Sequence, residues 1–176
     1  MKSPIIALPL VLVGGLLVAR GQSSSDVKLQ AQLKQLFPSA TAFSPRGGEP
    51  PHFKAYMNDP RSGQQTLAGV AFWTTELQPL ERGYYGPIKM LVGMDAKGIL
   101  TGIIVVEHHE PYGNFSIDPP TFAAQFKDKN IRDPFRVGED IDAVSTATLT
   151  VTSATRAVRN GARRLARQLL TPEAQK

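Results

Sequence analysis

The sequence, 176 residues long, contains no cysteine. This absence excludes disulfide bonds, thiolate metal sites, iron–sulfur clusters, Cys-x-x-Cys-His haem attachment and a lipid-modified N-terminal cysteine. The sequence also has no glycine-rich phosphate-binding loop before a helix, and no Ser/His/Asp set at a recognisable motif spacing. Any redox role must therefore depend on a bound organic cofactor, and no constellation for substrate turnover is evident.

Neither sign of charge is in large excess, with 20 Lys and Arg residues against 15 Asp and Glu. Lys2 and Arg20 flank an N-terminal apolar run, so the rest of the chain carries 18 basic and 15 acidic residues. This balance is too mild to indicate a nucleic-acid partner, and none is predicted. The hydrophobic share of 41% is typical of a folded globular chain, and the length fits one ordinary domain with a leader.

The N-terminal apolar run is shorter than the roughly 20 residues that a membrane span needs. Ile5–Val18 is interrupted by a proline and two glycines, follows Lys2, and precedes small residues at Ala19-Arg20-Gly21. Residues 1–22 are therefore predicted to be a signal peptide or, because Arg20 is unusual next to a cleavage site, an uncleaved anchor. Both interpretations predict an exported protein, located in the periplasm or at the periplasmic face of the inner membrane.

Hydrophobic periodicity predicts two main helices, one before and one after a set of strands. The first helix is predicted at Val27–Phe37, and residues 38–51 are predicted to be loop because they are rich in Ser, Gly and Pro. The second begins near Thr150 and continues for about 20 residues, with an apolar stripe at spacings of three or four. The predicted strands are Phe53–Tyr56, Leu67–Thr74, Met90–Asp95 and Ile99–Glu107.

The last two predicted strands form a hairpin, because Asp95–Gly98 supplies a turn with glycine at its end. Ile103–Val106 is the longest run of β-branched residues, which predicts that the final strand is the most buried. Phe122–Phe126 is predicted to form one helical turn. The fold class is α+β, an antiparallel sheet packed with helices. A helix-and-loop lead-in at 23–52 precedes one domain at 53–172.

The segment from Asp142 to Thr150 combines a carboxylate, several hydroxyl groups and small residues at the start of the last helix. The first four N–H groups of a helix have no partner within it, and the helix dipole makes that end partly positive. A phosphate is therefore favoured there, and a threonine can carry one covalently. The alternative is that these hydroxyl groups only cap the helix, where Ser, Thr and Asp are common.

Residues 142–148 resemble the Asp-x-x-Ser-Gly-Ala-Thr motif of FMN-binding domains, in which the last threonine holds FMN through a phosphoester. The resemblance extends from Ala68 to Leu170, over most of the 53–172 domain. It is nearest to the FMN-binding domain of the nitrous-oxide-reduction regulator and more distant from the flavin subunits of sodium-pumping quinone reductases and Rnf complexes. It implies covalent FMN on Thr148, placed there by a separate flavin transferase that uses FAD and a metal ion.

The same resemblance implies that the motif residues before Thr148 surround the attachment point, namely Asp142, Ser145, Thr146 and Ala147. A carboxylate at Asp142 could orient the hydroxyl nucleophile or help hold the transferase's cation. Thr146 departs from the family, which usually has glycine at this position, and a side chain there narrows the freedom of the backbone.

A second motif, Gly83-Tyr84-Tyr85-Gly86-Pro87-Ile88, combines glycines that allow close approach with tyrosines that offer faces for stacking. Without context it indicates only a turn that leads into the next strand. The resemblance implies that this segment borders the isoalloxazine ring, with Tyr84, Gly86 and Pro87 as contacts.

A third segment, Glu107-His108-His109-Glu110-Pro111, has metal-ligand residue types. On a strand, His108 and His109 would point to opposite faces and could not readily share one ion, so no metal site is predicted. The resemblance implies that Glu110 is a polar contact near the flavin. The alternative is that Glu110 lies at a solvated strand end.

The resemblance as a whole implies a flavoprotein of electron transport that carries FMN covalently and exchanges electrons with a membrane-bound redox partner. Such a protein is a redox component more than a stand-alone enzyme. The alternatives are a flavin-free regulatory module of the same fold and a flavin-dependent reductase of a small acceptor. The last helix has a stripe of arginines opposite its apolar side, which predicts a solvated face that could dock an acidic partner. The stripe consists of Arg156, Arg159, Arg163 and Arg167.

Overall fold

A computed structural model describes residues 24–169, so the predicted leader at 1–22 lies outside the described part. Within that part the chain forms five strands and five helices. In chain order they are α1 Ser24–Leu36, β1 Ala42–Phe43, β2 Phe53–Asn58, β3 Gln65–Trp73, α2 Thr74–Leu77, β4 Lys89–Asp95, β5 Leu100–Glu107, α3 Gly113–Ser116, α4 Pro120–Ala124 and α5 Thr148–Leu169. None of the helices found between residues 24 and 169 has the length and apolarity needed to cross a membrane.

The strands form a single antiparallel sheet in the order β1-β2-β3-β4-β5, so each strand pairs with its neighbour in sequence. This arrangement confirms the predicted α+β class. It also confirms the hairpin between β4 and β5. The Asp95 carboxylate accepts hydrogen bonds from the N–H groups of Lys97 and Ile99, and Gly98 adopts a left-handed φ of 81°. Glycine adopts that conformation without steric cost.

The two long helices cover opposite faces of the sheet. The apolar stripe of α5 packs against one face, where the buried residues include Phe72, Met90 and Val92. The apolar side of α1 packs against the other face through Leu33 and Leu36. Helix α1 therefore forms a second hydrophobic core with the sheet, on the face opposite α5.

The approach of α5 to the sheet depends on a glycine. A Cβ atom at Gly161 would lie 2.5 Å from the ring of Phe72, which is completely buried. Helix backbone and aromatic ring are therefore in direct contact at this point. The stripe predicted from sequence is buried as expected, at Ala154, Val158, Ala162 and Leu165.

Some predictions about individual elements are wrong. The loop predicted at 38–51 contains β1, a strand of two residues at the edge of the sheet. The final strand is not the most buried: β5 lies at the edge of the sheet and only Leu100 and Ile103 are buried, whereas five consecutive residues of β4 are. Thr74 belongs to α2 and not to a strand, and its buried hydroxyl group bonds to the backbone of Ile88 and Met90.

All three predicted helical segments are present with shifted bounds. The helix predicted at Val27–Phe37 is α1, Ser24–Leu36. The turn predicted at Phe122–Phe126 is α4, which begins earlier at Pro120, a residue whose fixed φ suits a first helical position. Helix α5 begins at Thr148, two residues before the predicted start. The shift of α5 matters for the site, because it places Thr148 in the first turn of the helix.

Candidate functional site

Glu110 joins three segments that are distant in sequence. Its carboxylate accepts hydrogen bonds from the N–H groups of Tyr84 and Tyr85, at 2.8 and 2.9 Å. It also accepts a short hydrogen bond from the hydroxyl group of Thr150, in the first turn of α5. The side chain is 6% exposed, so Glu110 is not a solvated strand end. One buried carboxylate therefore holds the glycine–tyrosine loop against the start of α5.

The glycine–tyrosine loop needs a glycine at its first position because it approaches Glu110 closely. A Cβ atom at Gly83 would lie 2.5–2.7 Å from the three atoms of the Glu110 carboxyl group. The loop is closed by a hydrogen bond of 2.8 Å from the N–H of Gly83 to the carbonyl oxygen of Gly86. The N–H groups of the two tyrosines, which lie between these glycines, point at the carboxylate as a result.

The hydrogen bonds keep Glu110 ionised in spite of its burial. Burial alone would raise the pKa of Glu110, but the Thr150 hydroxyl and the amides of Tyr84 and Tyr85 outweigh it, and the pKa is lowered. A carboxylate that accepts several hydrogen bonds is favoured in its charged form. Glu110 therefore carries a negative charge at neutral pH.

His108 holds the backbone of this segment in place. Its Nδ1 accepts a hydrogen bond of 3.1 Å from the N–H of Glu110, so the ring proton is on Nε2, which donates to Asp118 at 2.8 Å. A Cβ atom at Gly113 would lie 2.1 Å from the ring, so α3 packs directly on it. His109 is exposed. Both histidines lie beyond the end of β5, and none of the described residues form a His, Asp and Glu group able to hold a metal ion.

Thr148 is the first residue of α5 and is exposed. Ala147, just before it, is 2% exposed, and its carbonyl oxygen accepts the N–H of Val151 in the first turn. The burial of Ala147 is consistent with the small residue of the motif at this position. The hydroxyl group of Thr148 is therefore presented to solvent at the end of the helix where anions are favoured.

Thr146 adopts a left-handed backbone conformation, with φ at 68°. This conformation costs a residue with a Cβ atom roughly 1–2 kcal/mol, whereas glycine adopts it freely. The observation explains why the motif usually has glycine here: the turn into α5 requires positive φ. The threonine of this chain makes the same turn with some strain.

Replacing Thr146 by glycine is therefore expected to stabilise the protein. The relief of roughly 1–2 kcal/mol is partly offset by the greater freedom of glycine in the unfolded chain, which costs about 0.5–1 kcal/mol. We expect a net gain of about 0.5–1 kcal/mol in the free energy of unfolding, measured by urea denaturation. A loss of stability would mean that the side chain of Thr146 makes a contact more valuable than the strain it causes.

Exposed aromatic and apolar side chains gather around these segments. Tyr84 and Tyr85 are in edge-to-face contact, with ring centroids 5.0 Å apart, and Tyr112 and Phe115 lie 5.5 Å apart beside α3, which packs on α5. Together with Leu149 in the first turn of α5, these side chains are 46–66% exposed. Exposed apolar side chains that lie together are a feature of binding surfaces.

The structure brings together only part of the residue set named from sequence. Glu110, Tyr84 and the first turn of α5 are connected through hydrogen bonds. Asp142 is exposed, and its N–H donates to the side chain of Gln125 at 2.6 Å. Within residues 24–169, no hydrogen bond links the Asp142 carboxylate to Thr148. Other residues of the set are exposed, namely Ser145 and Pro87, or buried, namely Gly86.

Two features of the site were missed from sequence. Thr150 supplies the buried hydroxyl group that binds Glu110, although it was assigned only to the helix. Tyr112 and Phe115 form an exposed aromatic pair that no motif indicates. A signal for this pair was present, since two aromatics beside Gly113 follow the Glu110 segment closely in the sequence.

Comparison with known families identifies the domain. Residues 83–163 match the model of the FMN-binding domain, which confirms the resemblance seen in the motifs. The matched range begins at the glycine of the glycine–tyrosine loop and ends within α5. It includes Glu110 and Thr148. No curated protein matches the chain.

The side chains present are suited to FMN. An anionic phosphate suits the exposed first turn of α5, where N–H groups lack helical partners. A flat, largely apolar isoalloxazine ring suits the exposed aromatic faces of Tyr84, Tyr85, Tyr112 and Phe115. The domain therefore offers both kinds of surface that the two ends of this cofactor require.

Proposed function

We propose that the protein is an exported electron carrier whose FMN is joined to Thr148 by a phosphoester. The observation that carries the proposal is the exposed Thr148 hydroxyl group in the first turn of α5, with aromatic side chains exposed nearby. FMN supplies reversible uptake and release of electrons, while the protein attaches and orients it. A covalent bond suits export, because a dissociated flavin would be lost outside the cytoplasm.

Each part of the site has a separate task in this proposal. Thr148 would provide the attachment oxygen, and the N–H groups of the first turn, which lack helical partners, would favour a phosphate there. Glu110 fixes the loop of Tyr84 and Tyr85 relative to α5, so that the aromatic faces and the attachment point keep a constant spacing. Its negative charge disfavours additional negative charge nearby, which favours the oxidised form of a flavin bound there.

Attachment requires a flavin transferase, for which FAD is the donor. In that reaction the Thr148 oxygen forms a bond to the phosphorus of the FMN half of FAD. The pyrophosphate bond breaks, AMP leaves and the hydroxyl proton is released. Asp142 is exposed, as a residue that the transferase or its metal ion contacts has to be. Ser145 and Thr146 are exposed beside it and complete the surface that the transferase recognises.

The sequence of residues 1–22 supports the proposed location. Residues 1–22 have the positive start and apolar run of a signal peptide or anchor. An exported carrier at the periplasmic face of the inner membrane would receive electrons from a membrane-bound donor and pass them to a periplasmic or membrane acceptor.

A flavin-free regulatory module of the same fold is the second candidate, and the threonine at 146 is the observation that favours it. The left-handed φ of Thr146 argues against this second candidate, because the backbone keeps the conformation that the usual glycine would adopt. The side chain also points away from a buried environment, since Thr146 is exposed.

A direct experiment separates the two candidates. The protein is produced together with an active flavin transferase, purified and run on a denaturing gel. The carrier proposal expects a fluorescent band and a mass increase equal to FMN minus one water, on a peptide that contains Thr148. A colourless protein with the mass of the bare polypeptide would favour the regulatory module.

A further inference from the structure

The two edges of the sheet differ in how they are protected against pairing with another strand. Strand β1, at one edge, has only two residues, whereas β5, at the other edge, has eight. Edge strands carry unpaired N–H and C=O groups, and proteins commonly protect them by short length, lysine, proline or a covering segment. Strand β5 is long, contains neither lysine nor proline, and has one charged residue, Glu107, at its end.

A covering segment protects only the beginning of β5. The N–H of Leu100 donates to the carbonyl oxygen of Lys129 at 2.8 Å, and the N–H of Asp128 donates to the carbonyl oxygen of Leu100 at 2.9 Å. From residue 102 to residue 107, no described residue outside β4 forms a backbone hydrogen bond with β5. Residues 102–105 pair with β4 in regular register, and the irregularities of this pairing lie on either side of them. We call residues 102–107 the open edge.

Opposite charges lie at the two ends of the open edge. Glu107 is its last residue. Lys127 directly precedes the covering segment and lines a recess of about 510 Å³ together with Thr101 and Gly102, where the open edge begins. Both charged side chains are exposed, and neither forms an ion pair or a side-chain hydrogen bond with another described residue. Each charge is therefore available to a partner that pairs with the open edge.

Other charged groups near the open edge do not neutralise this pair. Lys89 lies opposite Glu107 on β4, but its Nζ is over the ring of Trp73, 4.9 Å from the centroid. The Asp95 carboxylate, in the recess, accepts the N–H groups of the hairpin turn. Asp128 follows Lys127 and is exposed. Among the described residues that line the recess, Lys127 is the only basic one, so it is the partner that an incoming carboxylate would meet.

We propose that two copies of this chain pair through their open edges, antiparallel and related by a two-fold axis at Ile104. In this register Thr101 of each copy lies opposite Glu107 of the other. Because Thr101 and Lys127 line the same recess, each Glu107 approaches Lys127 of the other copy, and two equivalent ion pairs form. A parallel arrangement would instead bring each charge next to its own counterpart. Charge complementarity therefore favours a second, antiparallel copy as the occupant of the open edge.

The position of the axis follows from the part of β5 that is already covered. An axis at Ile103 would place Glu107 opposite Ile99, which already pairs with Asn130 of the same copy. An axis one residue further along the strand than Ile104 would shorten the ladder and move Glu107 away from the recess. Pairing about Ile104 joins the two sheets into one and covers both open edges. An isologous contact of this kind closes with two copies.

The first test measures the mass of the flavin-free exported protein by sedimentation equilibrium over a range of concentrations. The contact uses neither Thr148 nor Glu110, so the result does not depend on the proposed function. We expect a reversible equilibrium between one copy and two that shifts toward one copy as sodium chloride is raised, because exposed charges are screened. The mass of a single copy at every concentration would overturn the proposal.

Charge reversal tests the antiparallel arrangement. Lys127→Glu and Glu107→Lys should each raise the dissociation constant of the dimer about tenfold, because each change replaces two exposed attractions by two repulsions. The variant with both changes again has opposite charges at the two ends and should associate within about threefold of the parent. Lys28→Glu is the matched control, since Lys28 is exposed on α1 and does not line the recess. Weakening by this control, or no recovery in the double variant, would contradict the proposal.

Cysteine substitution tests the position of the axis, because the chain has no cysteine of its own. Residues directly opposite each other in an antiparallel pair have Cβ atoms about 4.5–5.5 Å apart, close to the distance in a disulfide. Ile104→Cys should therefore form a disulfide between copies in oxidised glutathione. Val106→Cys should not, because its two copies would lie about 13 Å apart along the strands. Circular dichroism checks that both variants are folded, and any other pattern of disulfide formation would mean that the proposed register is wrong.

Discussion

Thr148→Ala is expected to give a folded protein without covalent flavin. The hydroxyl oxygen is the only atom of this residue that can form the phosphoester, and its loss removes the bond completely. Thr148 is exposed, so no buried contact is lost, and alanine is favourable in a helix. After co-production with the transferase, gel fluorescence should fall to background. The circular dichroism spectrum should be unchanged, and the free energy of unfolding in urea should stay within about 0.5 kcal/mol of the parent.

Thr152→Ala is the matched control for this experiment. Thr152 is the same residue type on the same helix, one turn further along, and it is half-buried. It should carry flavin to the same extent as the parent. Fluorescence that survives denaturation in Thr148→Ala would contradict the attachment site, and loss of fluorescence in both variants would point to a disturbed helix and not to a missing oxygen.

Glu110→Gln is expected to destabilise the domain strongly although it changes the shape of the side chain very little. The carboxylate accepts from three donors, with both oxygens in use. An amide has one oxygen, so its NH₂ group would face the N–H of Tyr84 or Tyr85. A buried donor without an acceptor costs about 1–3 kcal/mol, and loss of the charged acceptor adds to this. We expect a fall of about 3 kcal/mol in the free energy of unfolding.

The measurement is urea denaturation of the flavin-free protein, because a bound ligand would itself add stability. Glu107→Gln is the control, since Glu107 is an exposed carboxylate at the end of β5, three residues before Glu110. It should change stability by less than about 0.5 kcal/mol. Equal stabilities of Glu110→Gln and the parent would show that the three hydrogen bonds do not hold the loop to α5.

The parent and Glu110→Gln are also expected to differ in how their stability falls at acid pH. The pKa of Glu110 is lower in the folded protein than in the unfolded chain, so the unfolded chain binds a proton first as the pH falls. The stabilisation from Glu110 is complete above the unfolded pKa of about 4.3 and is lost as the pH falls through the folded value. Urea midpoints measured between neutral pH and pH 3 should therefore decline less steeply in Glu110→Gln than in the parent. Parallel declines would contradict the assignment.

The parts of the fold predicted correctly are those that depend on neighbouring residues. The stripe of α5 repeats every three or four residues, and such a repeat specifies both a helix and its buried face. The turn between β4 and β5 needs an aspartate and a glycine within four residues, and both are present. FMN binding was also indicated locally, because two of its motifs are short continuous segments.

The parts that were not predicted depend on contacts between distant segments. Whether β5 is buried depends on its position at the edge of the sheet, which its run of β-branched residues does not encode. Thr74 starts a helix, and its hydroxyl group accepts a hydrogen bond from Met90 of β4, 16 residues away in the sequence. The link between Glu110 and Thr150 spans 40 residues, and neither residue type indicates the other. Sequence identified both segments of the site but not the carboxylate that joins them.

The left-handed threonine before α5 has a consequence for how other chains with this motif can be recognised. What the segment 142–148 requires at position 146 is a backbone geometry, which glycine supplies freely and a threonine supplies at moderate cost. A search pattern that demands glycine there would reject this chain. A pattern that accepts any tolerated residue at 146, but insists on a small residue at 147 and a hydroxyl group at 148, would keep it and find others that share the same turn.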